Sequence, residues 1–298
     1  MSTRKAALFV LSFLLLVALA QAGPAFSLKL YGGAGYWLTG GDFKPLFAST
    51  ADRWREVGYT GTFDLDWKPI AIEGGVQAVL MFNPRLGMAF GIGYLSKSIN
   101  QDSMLNDGSG ATVEQISSYK VQSLPVSLDL LYYFVASEPV RINLSVGATY
   151  FSSLVKVEEH SLYKDPNYLG KLNWKWDLLR TFESDRKSVL GFQAGLGAEI
   201  KLFGPASLCF DLLYRLASFD DIQGTLRESD NVTWTGGHES GSATVDQTQM
   251  WYSTADVWGN TWHYLDIQKG EPTTVDEARP FKISMGGPVL RVGIKIGV

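Results

Sequence analysis

The chain has 298 residues, a formal net charge of −4, few charged residues, and many aromatics and glycines. That balance offers no basic patch for nucleic acid and suits a β-rich protein with much apolar surface. Cys209 is the single cysteine, which excludes an internal disulfide. With only His160, His238 and His263 beside it, a zinc site of Cys and His ligands is not expected, nor any other cofactor.

The N-terminus reads as a secretory signal peptide over residues 1–22. Arg4 and Lys5 precede an apolar run over 6–19, and Ala20-Gln21-Ala22 has the small-residue pattern of a cleavage site. The alternative is a retained anchor. No cysteine follows to carry a lipid. No later segment holds 18 consecutive apolar residues, so residues 23–298 form either one domain soluble outside the cytoplasm or a β-barrel, the only other structure that satisfies its backbone within lipid.

Eight period-two segments follow, at 27–37, 70–82, 85–97, 119–134, 140–152, 188–202, 206–216 and 283–298. Tight turns join the second to the third through Asn83-Pro84, the fourth to the fifth through 136–139, and the sixth to the seventh through Phe203-Gly204-Pro205. The other connections are long, the longest being 217–282. Short turns on one side and long loops on the other predict an all-β fold. The expected architecture is an eight-stranded antiparallel transmembrane β-barrel, an up-and-down meander with short periplasmic turns and long extracellular loops.

Alternation assigns the faces. In the last segment Leu290, Val292, Ile294, Ile296 and Val298 oppose Arg291, Gly293, Lys295 and Gly297. Across the eight segments the polar face carries the acids Glu73, Asp129, Glu199 and Asp211 and the bases Arg141, Lys201, Arg215, Arg291 and Lys295. Turned inward, these predict a filled, ion-paired lumen without an open channel. Turned outward, Arg291 or Lys295 would each cost about 2–4 kcal/mol near a bilayer midplane. A soluble sandwich with the apolar face inward is the competing architecture.

The segment from Leu124 to Phe134 resembles the fourth strand of the small outer-membrane β-barrel family, the OmpA-like and porin-like barrels. Val146-Gly147-Ala148-Thr149-Tyr150 and Gly195-Leu196-Gly197-Ala198-Glu199 resemble that family's glycine-rich strands. The resemblance implies residence in the outer membrane of a diderm bacterium, among outer-membrane lipid and lipopolysaccharide. It also implies that the barrel-assembly machinery reads the last strand, where Val298 stands in place of the usual terminal aromatic.

Candidate chemistry is sparse. His238 and Ser240 are similar in spacing to the His/Ser pair of outer-membrane lipid A deacylases, but sit in a glycine-rich segment. Cys209, on the polar face, reads as a buried inert thiol. Trp37, Trp67, Trp174 and Trp176 read as interface girdle or loop packing. Trp234, Trp251, Trp258 and Trp262 could form a loop aromatic surface for a sugar or another extracellular ligand. Three functions are therefore in play: a structural or surface-interaction barrel, a porin-like barrel for small solutes, and a lipid-modifying hydrolase.

Overall fold

The computed structural model describes residues 25–37, 40–56, 58–66, 68–257 and 260–297. The expected leader, Trp67, Trp258 and Val298 lie outside them. In chain order the elements are β1 (Ala25–Tyr36), α1 (Phe43–Glu56), β2 (Thr60–Asp66), β3 (Ile70–Met81), β4 (Leu86–Asn106) and β5 (Thr112–Ala136). Then come β6 (Val140–Tyr168), β7 (Lys171–Ser184), β8 (Lys187–Lys201), β9 (Ala206–Leu216), β10 (Ser218–Phe219) and β11 (Gln223–Trp234). The last are β12 (Gly237–Val257), β13 (Asn260–Gln268), β14 (Glu277–Pro280), β15 (Ile283–Ser284) and β16 (Gly287–Gly297).

The pairings define two storeys. In the lower one, β1 pairs with β3, β3 with β4, β4 with β5, and β5 with β6. The lower half of β6 pairs with β8, β8 with β9, β9 with β16, and β16 with β1. Every step is antiparallel, and the path returns to its start. The three tight turns and both described chain ends gather at one end of this ring, here the turn end.

Outward-facing side chains of the ring are apolar and exposed: Leu30, Ile72, Ile92, Leu130, Val146, Leu196, Leu212 and Ile294 are each about half exposed or more. Tyr36, Tyr94, Tyr150 and Tyr214 edge this band on one side, and Phe82, Tyr132, Phe134 and Phe203 edge it on the other.

The upper storey overturns the expectation of long loops. Segments 98–118 and 153–187 are not loops; β4, β5 and β6 run on through them. Above the ring, β6 leaves β8 and pairs with β7, β7 with β11, β11 with β12, and β12 with β13 and β14; β2 adds to β4. The segment 217–282 supplies β10 to β14, and 38–69 supplies α1 and β2. Helix α1 touches both β2 and β13, which are edge strands of this extension. Its Phe43, Leu46 and Phe47 follow an i, i+3, i+4 spacing and are all buried. At its base Asp42 accepts both guanidinium nitrogens of Arg279, at 2.6 and 2.7 Å, and the Lys282 amide at 2.7 Å.

The reason for the missed strands is visible along β6. Its outward face is Ile142, Leu144, Val146, Ala148 and Tyr150, then Ser152, Leu154, Lys156, Glu158 and His160, polar but for Leu154. Its inward face is Asn143, Ser145, Gly147 and Thr149, then Phe151, Ser153, Val155 and Val157, apolar but for Ser153. The apolar side changes from outer to inner at Tyr150-Phe151 without a turn. Period two persists but its phase inverts, so a strand read from one apolar face appears to stop.

Candidate functional site

The inward face of the same strand serves as a ruler for the interior. From the turn end it passes a charged layer, an apolar layer, a second polar layer and an aromatic one.

In the charged layer, Glu73 lies between two guanidiniums. It accepts a hydrogen bond from Arg291 Nε, and Arg215 Nη2 stands 2.9 Å from its other oxygen. The Arg215 contact is an ion pair without hydrogen-bond alignment, since none of its three guanidinium nitrogens makes such a bond among the described residues. Arg215 and Arg291 are 1% and 3% exposed, so Glu73 is the charge that offsets both. The register explains the reach. Gly33 pairs with Glu73 on one side and Arg291 on the other, so no side chain separates them. A Cβ there would lie 2.3 Å from the Leu290 carbonyl oxygen.

Gly147 has the same place between Asp129 and Gln193, and Gln193 Nε2 donates to Asp129 across it at 2.8 Å. A Cβ at Gly147 would fall 2.2 Å from that carboxylate. Nearer the turn end, Glu199 accepts from Lys295 and from the Tyr133 hydroxyl at 2.5 Å, with Arg141 at 3.9 Å. Asp211 pairs with Lys29 at 2.5 Å. Lys201 stands apart at the rim, exposed, paired with Glu138 at 2.9 Å.

Sequence reading named the acids but missed Lys29, Gln77, Tyr133 and Gln193, which are buried with them. Two signals could have found them. Lys29 falls on the polar parity of β1, and Gln193 sits opposite Gly147. The space left in this layer is about 30 Å3, room for a water or two. At the turn end a cavity of about 260 Å3 opens around Arg141, Glu199, Lys201 and Lys295.

Above the charges, Trp37, Phe43, Leu95, Tyr119, Phe151, Phe182, Phe281 and Ile283 form one buried apolar cluster. Trp37, expected at an interface, is only 1% exposed and belongs here. Arg215 marks the boundary, its guanidinium 5.3 Å from the Phe151 ring centre. Beyond this plug Glu159 accepts from the Tyr119 hydroxyl at 2.9 Å, and Arg180 pairs with Glu228 at 2.5 Å. Burial holds the Glu159 carboxyl above the usual carboxylate range.

At the tip end the interior opens. Tyr163 and Trp176 stack at 5.2 Å and Tyr168 and Trp174 at 4.4 Å, with the two tryptophans 6.4 Å apart. With Tyr59 they wall a cavity of about 460 Å3, which Asp165 and Asp230 also line. Trp174 and Trp176 are thus neither girdle nor loop packing; both project inward at the far end of the extension.

The other expected surface is not assembled. Trp234 closes β11 beside Lys171, whose Nζ is 4.0 Å from its ring centre. Trp251 lies about 45 Å of strand away along β12, at ~3.3 Å per residue. Trp262, on β13, donates to Glu56 of α1 at 2.8 Å. His238 and Ser240 are exposed at the start of β12, and the His238 side chain makes no hydrogen bond among the described residues. His160 pairs with Asp177 at 2.8 Å, and His263 with the Tyr252 hydroxyl at 2.5 Å. Cys209 is buried on the inner face.

A family model described as an outer membrane protein beta-barrel domain matches residues 8–237. Among solved structures, the chain is similar to a major outer membrane protein from Thermus thermophilus. The identity is 16% and the TM-score 0.37, over 92% of this chain and 100% of that one. No curated protein matches the chain.

Proposed function

The chain belongs to the outer membrane protein β-barrel domain family, and from that premise we propose that it is a sealed barrel of structural and surface-interaction type, neither a pore nor an enzyme. The ring of eight strands spans the outer membrane. Its apolar band faces outer-membrane lipid, and its tyrosine edge meets the lipopolysaccharide leaflet. The tight turns and both described chain ends lie in the periplasm, where the assembly machinery reads β16. The extension of β2, β7 and β11 to β14 stands outside the cell.

One observation carries this reading: the interior is blocked twice in series. The charged layer leaves about 30 Å3, and the apolar plug above it buries Phe43, Phe151 and Phe281 to 0% exposure. A solute would have to separate buried ion pairs at a cost of several kcal/mol each and then displace packed aromatics. Small-solute transport, the rival, predicts a continuous path.

Planar-bilayer recording of the folded protein tests the choice. Sealed behaviour is the absence of unitary conductance in the wild type. Steady ohmic openings would reverse the assignment.

A further inference from the structure

We propose that the aromatic cavity at the tip of the extension is a binding site for a neutral, hydroxyl-rich ligand, namely a pyranose saccharide chain. The inference adds a ligand class to the interaction role proposed above and rests on it only for the cavity's outward position.

Four features point to that class. First, the cavity is open and of ligand size: about 460 Å3, within the roughly 300–1,000 Å3 common to small-molecule sites. The inward positions of β6 and β7 are packed shut at the plug, yet at Tyr163 and Trp176 comparable bulk surrounds space. Second, the rings form a ledge. Tyr163 with Trp176 and Tyr168 with Trp174 lie nearly parallel, at 24° and 29°. Such stacking uses each pair's shared faces and leaves a row of edges and outer faces, suited to the apolar C–H face of a sugar ring.

Third, the acidic groups on the wall are acceptors. Asp165 and Asp230 line the cavity, and Asp107 is close enough to act with Asp165 in holding the Tyr59 hydroxyl above the usual phenol range, after burial. A Cβ at Gly241 would come 2.7 Å from Asp230 Oδ1, so the glycine keeps that carboxylate's place. Fourth, no inward base balances them among the described residues. Lys164 touches the cavity, but its ammonium is held by Glu114 at 2.7 Å. Carboxylates without a matching base repel phosphorylated or sulfated glycans and accept hydrogen bonds from sugar hydroxyls. A small ammonium ligand would satisfy the charge. It would need several ring faces converging on one point within about 6 Å, whereas the near-parallel pairs present their free faces side by side along a ledge.

The test is calorimetric titration of the full chain, folded in detergent, with maltohexaose, cellohexaose and chitohexaose. A heparin hexasaccharide and tetramethylammonium chloride serve as the anionic and cationic comparisons. We expect saturable binding of at least one neutral hexasaccharide. Trp176→Ala and Asp230→Asn should each weaken it by about tenfold or more, as loss of one stacking or charged hydrogen-bond contact implies. Trp234→Ala, outside the cavity, should leave it unchanged. Heat-modifiable gel migration checks folding of each variant, and Trp176→Phe should restore part of the affinity. Absence of binding by all three neutral chains overturns the proposal, as does binding that survives both cavity variants or preference for the heparin or ammonium probe. Titration in detergent depends on neither sealing nor orientation, so its failure would leave the conductance result standing, and the reverse also holds.

Discussion

Glu73→Gln is the substitution that most directly questions the charged layer. It keeps the side-chain shape and removes the one carboxylate between Arg215 and Arg291, whose side chains are 1% and 3% exposed. Two guanidiniums would then share a buried space with no opposing charge in contact. Breaking a buried pair by removing one partner costs about 3–5 kcal/mol, chiefly because the remaining charge is stranded. At ~1.4 kcal/mol per tenfold, that is roughly a hundredfold or more in the folding equilibrium. Urea titration of vesicle-reconstituted protein, followed by the heat-modifiable gel band, reads the change. The double variant Glu73→Gln with Arg215→Gln should cost less than Glu73→Gln alone, because it removes one stranded charge. A loss below about 1 kcal/mol for Glu73→Gln, or strict additivity in the double variant, would refute the assignment of Glu73 as the offset to both arginines.

Other outcomes follow from the same interior. Phe151→Ala should cost about 3–5 kcal/mol, the usual penalty for emptying a buried aromatic site, measured by the same titration. The inversion of face predicts that Ile294→Arg, on the outward band, costs about 2–4 kcal/mol near the midplane. Ser98→Arg, outward on β4 above the tyrosine edge, should stay within about 0.5 kcal/mol. Glu159 sits between Tyr119, Arg180 and Glu228, and burial raises its pKa in the folded state. The folded chain therefore holds that proton more tightly than the unfolded one. The resulting stability is complete below the ordinary carboxylate range and is lost as pH rises through the raised value. Amide exchange in β6 and β7 should accordingly be better protected at low pH, and Glu159→Gln should flatten that slope. His238→Ala and Ser240→Ala should leave lipid A unchanged by mass spectrometry; loss of an acyl-chain modification in either would reinstate the hydrolase.

What the sequence made legible was the part that obeys one rule. Leu290 to Ile296 against Arg291 and Lys295 follows a single alternation, and the strands of the ring were found wherever that rule held. The extension was illegible because alternation changes sides at Tyr150-Phe151 and Tyr94-Leu95, where two adjacent residues are both apolar. The partners of the charges were partly hidden too. Glu73 meets Arg291 only because Gly33 intervenes in register, and register is a property of the pairing, not of any one strand. Tryptophans misled most. Trp37, Trp174 and Trp176 were grouped by residue type, yet one fills a plug and two face an open cavity far along the same interior. Helix α1 escaped because Phe43, Leu46 and Phe47 make a short apolar stripe within a segment otherwise rich in turn residues.

Orientation decides whether the extension meets the outside of the cell, and the chain carries a convenient probe of it. Cys209 is the single cysteine and is buried, so new surface thiols can be labelled against a silent background. Ser109→Cys lies in the exposed β4–β5 turn at the tip end, and Glu138→Cys in the exposed β5–β6 turn at the opposite end. In intact cells expressing each variant, a membrane-impermeant maleimide should label Cys at position 109 readily. It should label position 138 only after the outer membrane is permeabilised. Labelling of position 138 in intact cells with position 109 protected would place the extension in the periplasm and contradict the account.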